Sequence, residues 1–339
     1  MHSTWLTALL CLIVLAAAGC TSKVKQQEVV VYTSRDRLFS EPVFKAFENE
    51  TGIKVNAVYD TGATKTAGLA NRLIAEKNNP QADVFWNSEA GKTIVLKQSG
   101  VLEPYCSPNA AEIPEKFKDP ECYWAGFGAR ARAIIYNKNL VNETDAPKSI
   151  YDLTQPKWRG KVALGNAWLG TMATHHAALF LLLGDDKAKE FFHDLKDNDV
   201  KMLVGNTAVR DAVSSGEVPV GLIDTSDAFE AVFDGKPVAI VYPDQGENEM
   251  GAMLIPNTVA LVKGGPNPEN GRKFVDFMLS RSMERELVNS VSSQIPLKSG
   301  IEVPPHVKTV EELKIMDVDF EKVAAKMNET NQYLLELFT

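Results

Sequence analysis

The feature that most limits the fold is the alternation that begins at residue 28. EVVVYTS reads as a strand, PVFKAFENETG as a helix closed by glycine, IKVNAVYD as a strand, TAGLANRLIAEKNN as a helix and ADVFW as a strand. Strand and helix periods alternating in this order predict a parallel sheet with right-handed crossovers. A second series starts near residue 161 with KVALG, a helix over 170–183 (GTMATHHAALFLLL) and a further helix to about 196. It continues with VKMLVG, the helix TAVRDAVSSG and the strand VPVGLI. Between the two series lies YWAGFGARARAIIYN (123–137), an extended run suited to crossing between lobes, and GAMLIPNTVALVKG (251–264) is expected to cross back. The tail reads as helical, ending in KVAAKMNETNQYLLELF. The expected fold class is α/β: two lobes, each a doubly wound sheet, hinged by extended crossings. Residues 28–128 form the first part of lobe 1, 129–250 lobe 2, 251–300 the return crossing and the rest of lobe 1, and 301–339 a C-terminal helical segment. With 339 residues and 45% hydrophobic content, the chain has apolar material for two such cores.

In open α/β sheets ligands bind beyond the carboxyl ends of the strands, at helix N-termini. The residues that follow each expected strand are therefore the candidate site. They are Ser34, Arg35 and Asp36; Gly62, Ala63 and Thr64 after Asp60; Asn87, Ser88 and Glu89; Asn166, Trp168 and Thr171; Asn206 with Thr207; Asp224, Thr225, Ser226 and Asp227; and Asp244 with Gln245. Helix capping explains any one of these polar junctions, and Asp227 with Glu230 makes a passable capping box. Their agreement across both lobes favours a polar ligand in the cleft between them.

Residues 6–18, LTALLCLIVLAAA, form an apolar stretch shorter than a spanning helix needs, followed by Gly19-Cys20 and a polar linker to residue 27. This pattern resembles a bacterial lipoprotein signal over residues 1–19, with Cys20 as the lipidated first residue of the mature chain. An ordinary cleaved signal peptide is the alternative. Either way the protein is expected outside the cytoplasm. There Cys106 and Cys122, 16 apart in a proline-rich loop, most simply close a disulfide.

The formal charge of −8 argues against nucleic acid as a partner, because no Lys/Arg stripe balances its phosphates. EAGKT (89–93) lacks the first glycine of a phosphate-binding loop, and GFGARA (126–131) leads into a strand rather than a helix. No nucleophile elbow or HExxH motif exists. His175 and His176 point to different helix faces, while His193 and His306 have no partner in sequence, so all four read as structural or surface residues. No cofactor is expected, and no catalytic set presents itself; an enzyme on the same fold is the remote alternative.

VVVYTSRDRLFSEPVFKAFENETGIKV, ADVFWNSEAGKTIVLKQSGVLEPY, GFGARARAIIYN and VRDAVSSGEVPVGLIDTSDA resemble the periplasmic solute-binding proteins of ABC importers. The similarity is to the type II group that includes ferric-iron-binding proteins, and it covers nearly all of 28–300. It implies the two-lobed type II periplasmic-binding-protein fold, a small ligand closed between the lobes, delivery to a membrane permease, and a monomer held at the membrane by its lipid. It also implies ferric iron or another hard metal ion as ligand. Ferric-binding relatives typically carry an adjacent tyrosine pair where this chain has Thr225-Ser226-Asp227, and often a histidine where it has Asp36. A carboxylate set of Asp36, Glu89, Asp224 and Asp227 is expected there instead, able to hold a hard cation, since hard ions prefer oxygen donors, or equally to hydrogen-bond a sugar hydroxyl or an amine. Alternatively, Arg35 and the helix N-termini at Gly62–Thr64 and Gly170–Thr171 suit a phosphorylated, phosphonate or other anionic solute. Trp86 and Trp168 either stack on an organic ligand or pack in the core.

Overall fold

In the computed structural model, which describes residues 26–60 and 68–339, β1 (Glu28–Thr33) pairs in parallel with β2 (Lys54–Tyr59) on one side and with β3 (Val84–Asn87) on the other. The chain reaches β2 through α1 (Arg37–Thr51), returns through α2 (Gly68–Ala75), and continues into α3 (Ala90–Gln98) and the short β4 (Leu102–Glu103). Strand order therefore reverses at β1 and β3, which opens a crevice beyond their carboxyl ends. Cys20, Gly62, Ala63 and Thr64, and the apolar stretch at 6–18, lie outside the described residues. Among the described residues no helix is long and apolar enough to cross a membrane.

The second sheet repeats the device. β6 (Val162–Gly165) lies between β7 (Lys201–Leu203) and β8 (Val220–Asp224), both parallel to it. The connections are α4 (Gly170–Leu183), α5 (Asp185–Asp197) and α6 (Gly205–Ser215), and β8 runs directly into α7 (Thr225–Phe233). Here the reversal lies between β6 and β8, so Asn166–Thr171 and Asp224–Asp227 flank a second crevice.

β5 (Ala125–Asn137) joins the sheets. Its residues up to Ala131 pair with β10 (Leu254–Val262), and from Arg132 onward it pairs with β8 and with β9 (Val238–Val241), all antiparallel. The strand thus changes sheets between two consecutive residues, and every residue along it is buried. The run at 251–264 does not cross in the same way: β10 pairs with β3, β4 and the first half of β5, all within one sheet. The return is complete before Leu254.

The first core centres on Phe44, Phe47, Trp86 and Phe274 of α8 (Pro268–Met278), with Trp86 meeting the Phe44 ring edge-on at 5.7 Å. Trp86 is 1% exposed, so packing rather than ligand stacking is its role. α9 (Arg281–Val288) follows α8, and the chain ends in α10 (Phe320–Phe338). α10 packs on α3 of the first lobe and on α4 and α5 of the second. Gly91 lies so close that a Cβ there would collide with Sδ of Met327 on α10. Lys326 of the same helix reaches Asp185 of α5 at 2.9 Å. α4 is buried from Thr171 to Phe180, including His175 and His176, which accounts for its apolar character on all sides. Cys106 and Cys122 are joined as a disulfide.

Candidate functional site

Both crevices open on one cavity of about 570 Å³ between the lobes. Ser34, Arg35, Asp36 and Ser88 line it from the first lobe, and Asn166, Thr171, Asn206, Asp224, Ser226 and Asp227 from the second. Asp60 and Arg130 also line it, and the N-termini of α4 and α6 contribute Gly170 and Gly205. Asn87, Glu89, Thr225 and Trp168 do not. Asn87 is fully buried behind the wall, where it accepts from Ser34 Oγ at 2.6 Å and donates to the Glu89 carbonyl at 2.7 Å. Thr225 Oγ1 accepts from the Ala131 amide at 3.1 Å, tying α7 to the crossing strand. Trp168 packs against the core cluster, as Trp86 does.

Asp224 stands opposite Arg132 in the β5–β8 register, and the pairing decides its role. Arg132 Nη1 donates to Oδ1 at 2.7 Å, Thr171 Oγ1 donates to Oδ2 at 2.8 Å, and Arg130 Nε lies 3.6 Å from Oδ2. Burial by itself would raise this pKa, but Arg132 and Arg130 outweigh it and hold the carboxyl below its usual range. Although Asp224 occupies the N-cap position of α7, its side chain makes no capping bond. The helix starts at Thr225, so the expected capping box of Asp227 and Glu230 does not form. The two arginines were not among the sequence candidates. Their alternation in GARARA puts both on one face of a strand, and two cations on one face of an otherwise apolar run is the signal that could have found them.

Glu89 is the N-cap of α3, where its carboxylate accepts from the amides of Gly91 and Lys92. It also accepts from Thr174 Oγ1 of α4 at 3.1 Å. The four carboxylates Asp36, Glu89, Asp224 and Asp227 are therefore not gathered into one set: Glu89 and Asp224 are engaged elsewhere. Among the described residues no three His, Cys, Asp or Glu side chains come together as a metal-holding group.

Arg35 is buried against the first-lobe wall with its Cζ 4.7 Å over the Phe39 ring. Its Nη2 reaches Ser292 Oγ at 3.5 Å, and Gln294 accepts from it at 3.0 Å once its amide oxygen faces the guanidinium. Its Nε has no partner, and no carboxylate pairs with it among the described residues. Burial and the nearby Arg130 push its pKa down to about 10, against the opposing pull of Asp227, Asp36 and Glu230. Across the cavity, Asp227 receives only hydroxyl donors among the described residues, Thr207 Oγ1 at 3.3 Å and Ser226 Oγ at 3.4 Å. Burial and Asp224 raise its pKa. Its neighbour Glu230 takes Arg210 at 2.6 Å, yet burial and Asp227 still lift it to about 7. Chemically the site can hold charge and hydrogen-bond a polar solute, with buried hydroxyls, amides and two helix N-termini around it.

A model of the family described as bacterial extracellular solute-binding protein matches residues 32–284. "Iron uptake protein A1" of Synechocystis is 27% identical over 311 residues, covering 88% of this chain and 84% of that protein. Iron-bound HitA from Pseudomonas aeruginosa superposes with a TM-score of 0.82 at 24% identity, covering 91% of this chain and 99% of the other. AfuA from Actinobacillus pleuropneumoniae, with exogenous fructose-6-phosphate bound, gives 0.78 at 25% identity over 92% and 98%.

Proposed function

We propose that this chain, which belongs to the bacterial extracellular solute-binding protein family, captures a small polar solute outside the cytoplasmic membrane and hands it to the permease of an ABC importer. The observation that carries the reading is the single cavity lined from both lobes, at the strand-order reversal of each sheet, with one strand crossing between them. The lobes, residues 28–128 with 251–300 and residues 129–250, close on the solute by bending where β5 changes sheets. The protein acts as a monomer in the periplasm, anchored by lipid on Cys20, and performs no chemistry on its cargo.

For the cargo, the geometry favours a small organic molecule bearing an oxyanion such as a phosphate or phosphonate. Arg35 is buried, paired with no carboxylate among the described residues and on the cavity wall, and an anion is what completes it. The sugar phosphate in the AfuA structure supports this reading. Ferric iron is the second reading: the name of the Synechocystis relative speaks of iron uptake, and Asp36 and Asp227 on the cavity wall favour a hard ion. Native mass spectrometry of exported protein purified without refolding tests both. An organophosphate mass that dissociates on denaturation is the expected result; a bound iron mass would reverse the order of the two readings.

A further inference from the structure

The cavity wall carries two charges of opposite sign, one on each lobe, that make no direct ion pair among the described residues. Arg35 has no ion pair among the described residues, and its Nε donates to nothing. Asp227 has no ion pair among them either, only two long hydroxyl contacts. Every other described charge that bears on the pair is engaged. Asp224 is held by Arg132, with Arg130 beside it, and Arg130 also donates to Asn257 Oδ1 at 2.9 Å and to the Ser88 carbonyl. Glu230 is held by Arg210, which also bonds Asp211 at 2.9 Å. Leaving a guanidinium and a carboxylate short of partners in a sheltered cavity costs stability, unless a ligand brings the missing partners with it.

We infer that the solute is an ampholyte: its oxyanion sits on Arg35 and its amine on Asp227, so the two lobes grip opposite ends of one molecule. The inference rests on the oxyanion reading above and narrows it to amino-phosphates and aminophosphonates. It also supplies a reason for closure, because neither lobe alone can satisfy both ends. A cavity of about 570 Å³ has room for an amino-sugar phosphate as well as for a shorter chain.

The experiment uses the mature chain and two matched pairs of probes, measured by calorimetry. The pairs are 2-aminoethylphosphonate with ethylphosphonate, and glucosamine 6-phosphate with glucose 6-phosphate. In whichever pair binds, the amine-bearing member is expected to bind at least about tenfold tighter, as befits a desolvated charge pair. Asp227→Asn should bring that ratio close to one by weakening the amine-bearing member alone, while Arg35→Gln should weaken both members. Equal binding within a pair, or a ratio untouched by Asp227→Asn, overturns the ampholyte and leaves the oxyanion reading standing. Failure of all four probes together with binding of ferric citrate overturns both.

Discussion

Thr174 and Glu89 meet across the two lobes, the hydroxyl Oγ1 of one lying 3.1 Å from Oε2 of the other. Glu89 is already the N-cap of α3, so a single buried carboxylate ends a helix in the first lobe and receives α4 of the second. Such a residue acts on stability and lobe alignment rather than on ligand chemistry. Glu89→Ala is expected to cost roughly 1–2 kcal/mol from the lost cap and more from the stranded hydroxyl. Urea unfolding should register the loss while solute affinity in the folded protein changes little. A variant with normal stability and abolished binding would mean that Glu89 touches the ligand.

Glu230 gives the protein an unusual acid response. Its folded pKa, about 7, stands above the unfolded value of about 4.3, so between those limits the folded chain binds more protons than the unfolded one. Stability contributed through this group therefore falls as pH rises from about 4.3 to 7. In a thermal series from pH 5 to pH 8, Glu230→Gln should flatten part of the decline and raise the melting temperature most at the alkaline end. A slope identical in mutant and wild type would show that Glu230 titrates normally.

The disulfide of Cys106 and Cys122 closes a loop of 16 residues in sequence separation. Loop-closure entropy makes such a bridge worth about 3 kcal/mol. The loop lies outside the cavity wall, so the Cys106→Ser/Cys122→Ser protein should melt several degrees lower and bind solute as before. Loss of binding in protein that remains folded would contradict the separation of the two regions.

How far the site is legible before the structure depends on the range of the contacts that build it. Ser34, Arg35, Asp36 and Ser88 follow strands whose order is implied by local alternation, and that alone brings them to the cavity. Arg132 is different. GARARA looks the same whether its arginines face water or a buried carboxylate, and only the pairing of Arg132 with Asp224 on the neighbouring strand distinguishes the two. Asp224 misleads for the same reason, because a cap and a cross-strand ion partner share one residue type. Ser292 reaches Arg35 from 257 residues away, a contact no local pattern records.

Cys20 carries the anchoring reading, and its test is independent of the cleft. The apolar stretch at 6–18 is shorter than a spanning helix needs, so on this reading acyl chains on the cysteine would hold the protein. Cys20→Ser is expected to shift the protein from the membrane to the soluble fraction of exported material. Retention in the membrane would point to an uncleaved segment as the anchor.

Asp224 and Asp227 are three residues apart at one helix end, and the same substitution should act on them in opposite ways. Asp224→Asn leaves Arg132 and Arg130 buried without their counter-charge, a change expected to cost about 3–5 kcal/mol. Asp227→Asn removes a carboxylate that has only hydroxyl contacts and no ion pair among the described residues and is repelled by Asp224, so stability should hold or rise slightly. The pH behaviour follows with the same opposition. Asp224 has a depressed folded pKa, so its contribution is present above the unfolded value of about 3.9 and is lost as pH falls through the lower folded one. Asp227 has a raised one, so its ionisation weakens the fold as pH rises through the range above about 3.9. Chemical denaturation of both variants at pH 4 and pH 7 resolves the signs. If Asp224→Asn is as mild as Asp227→Asn at neutral pH, the arginines have another counter-charge and Asp224 is free to serve the ligand.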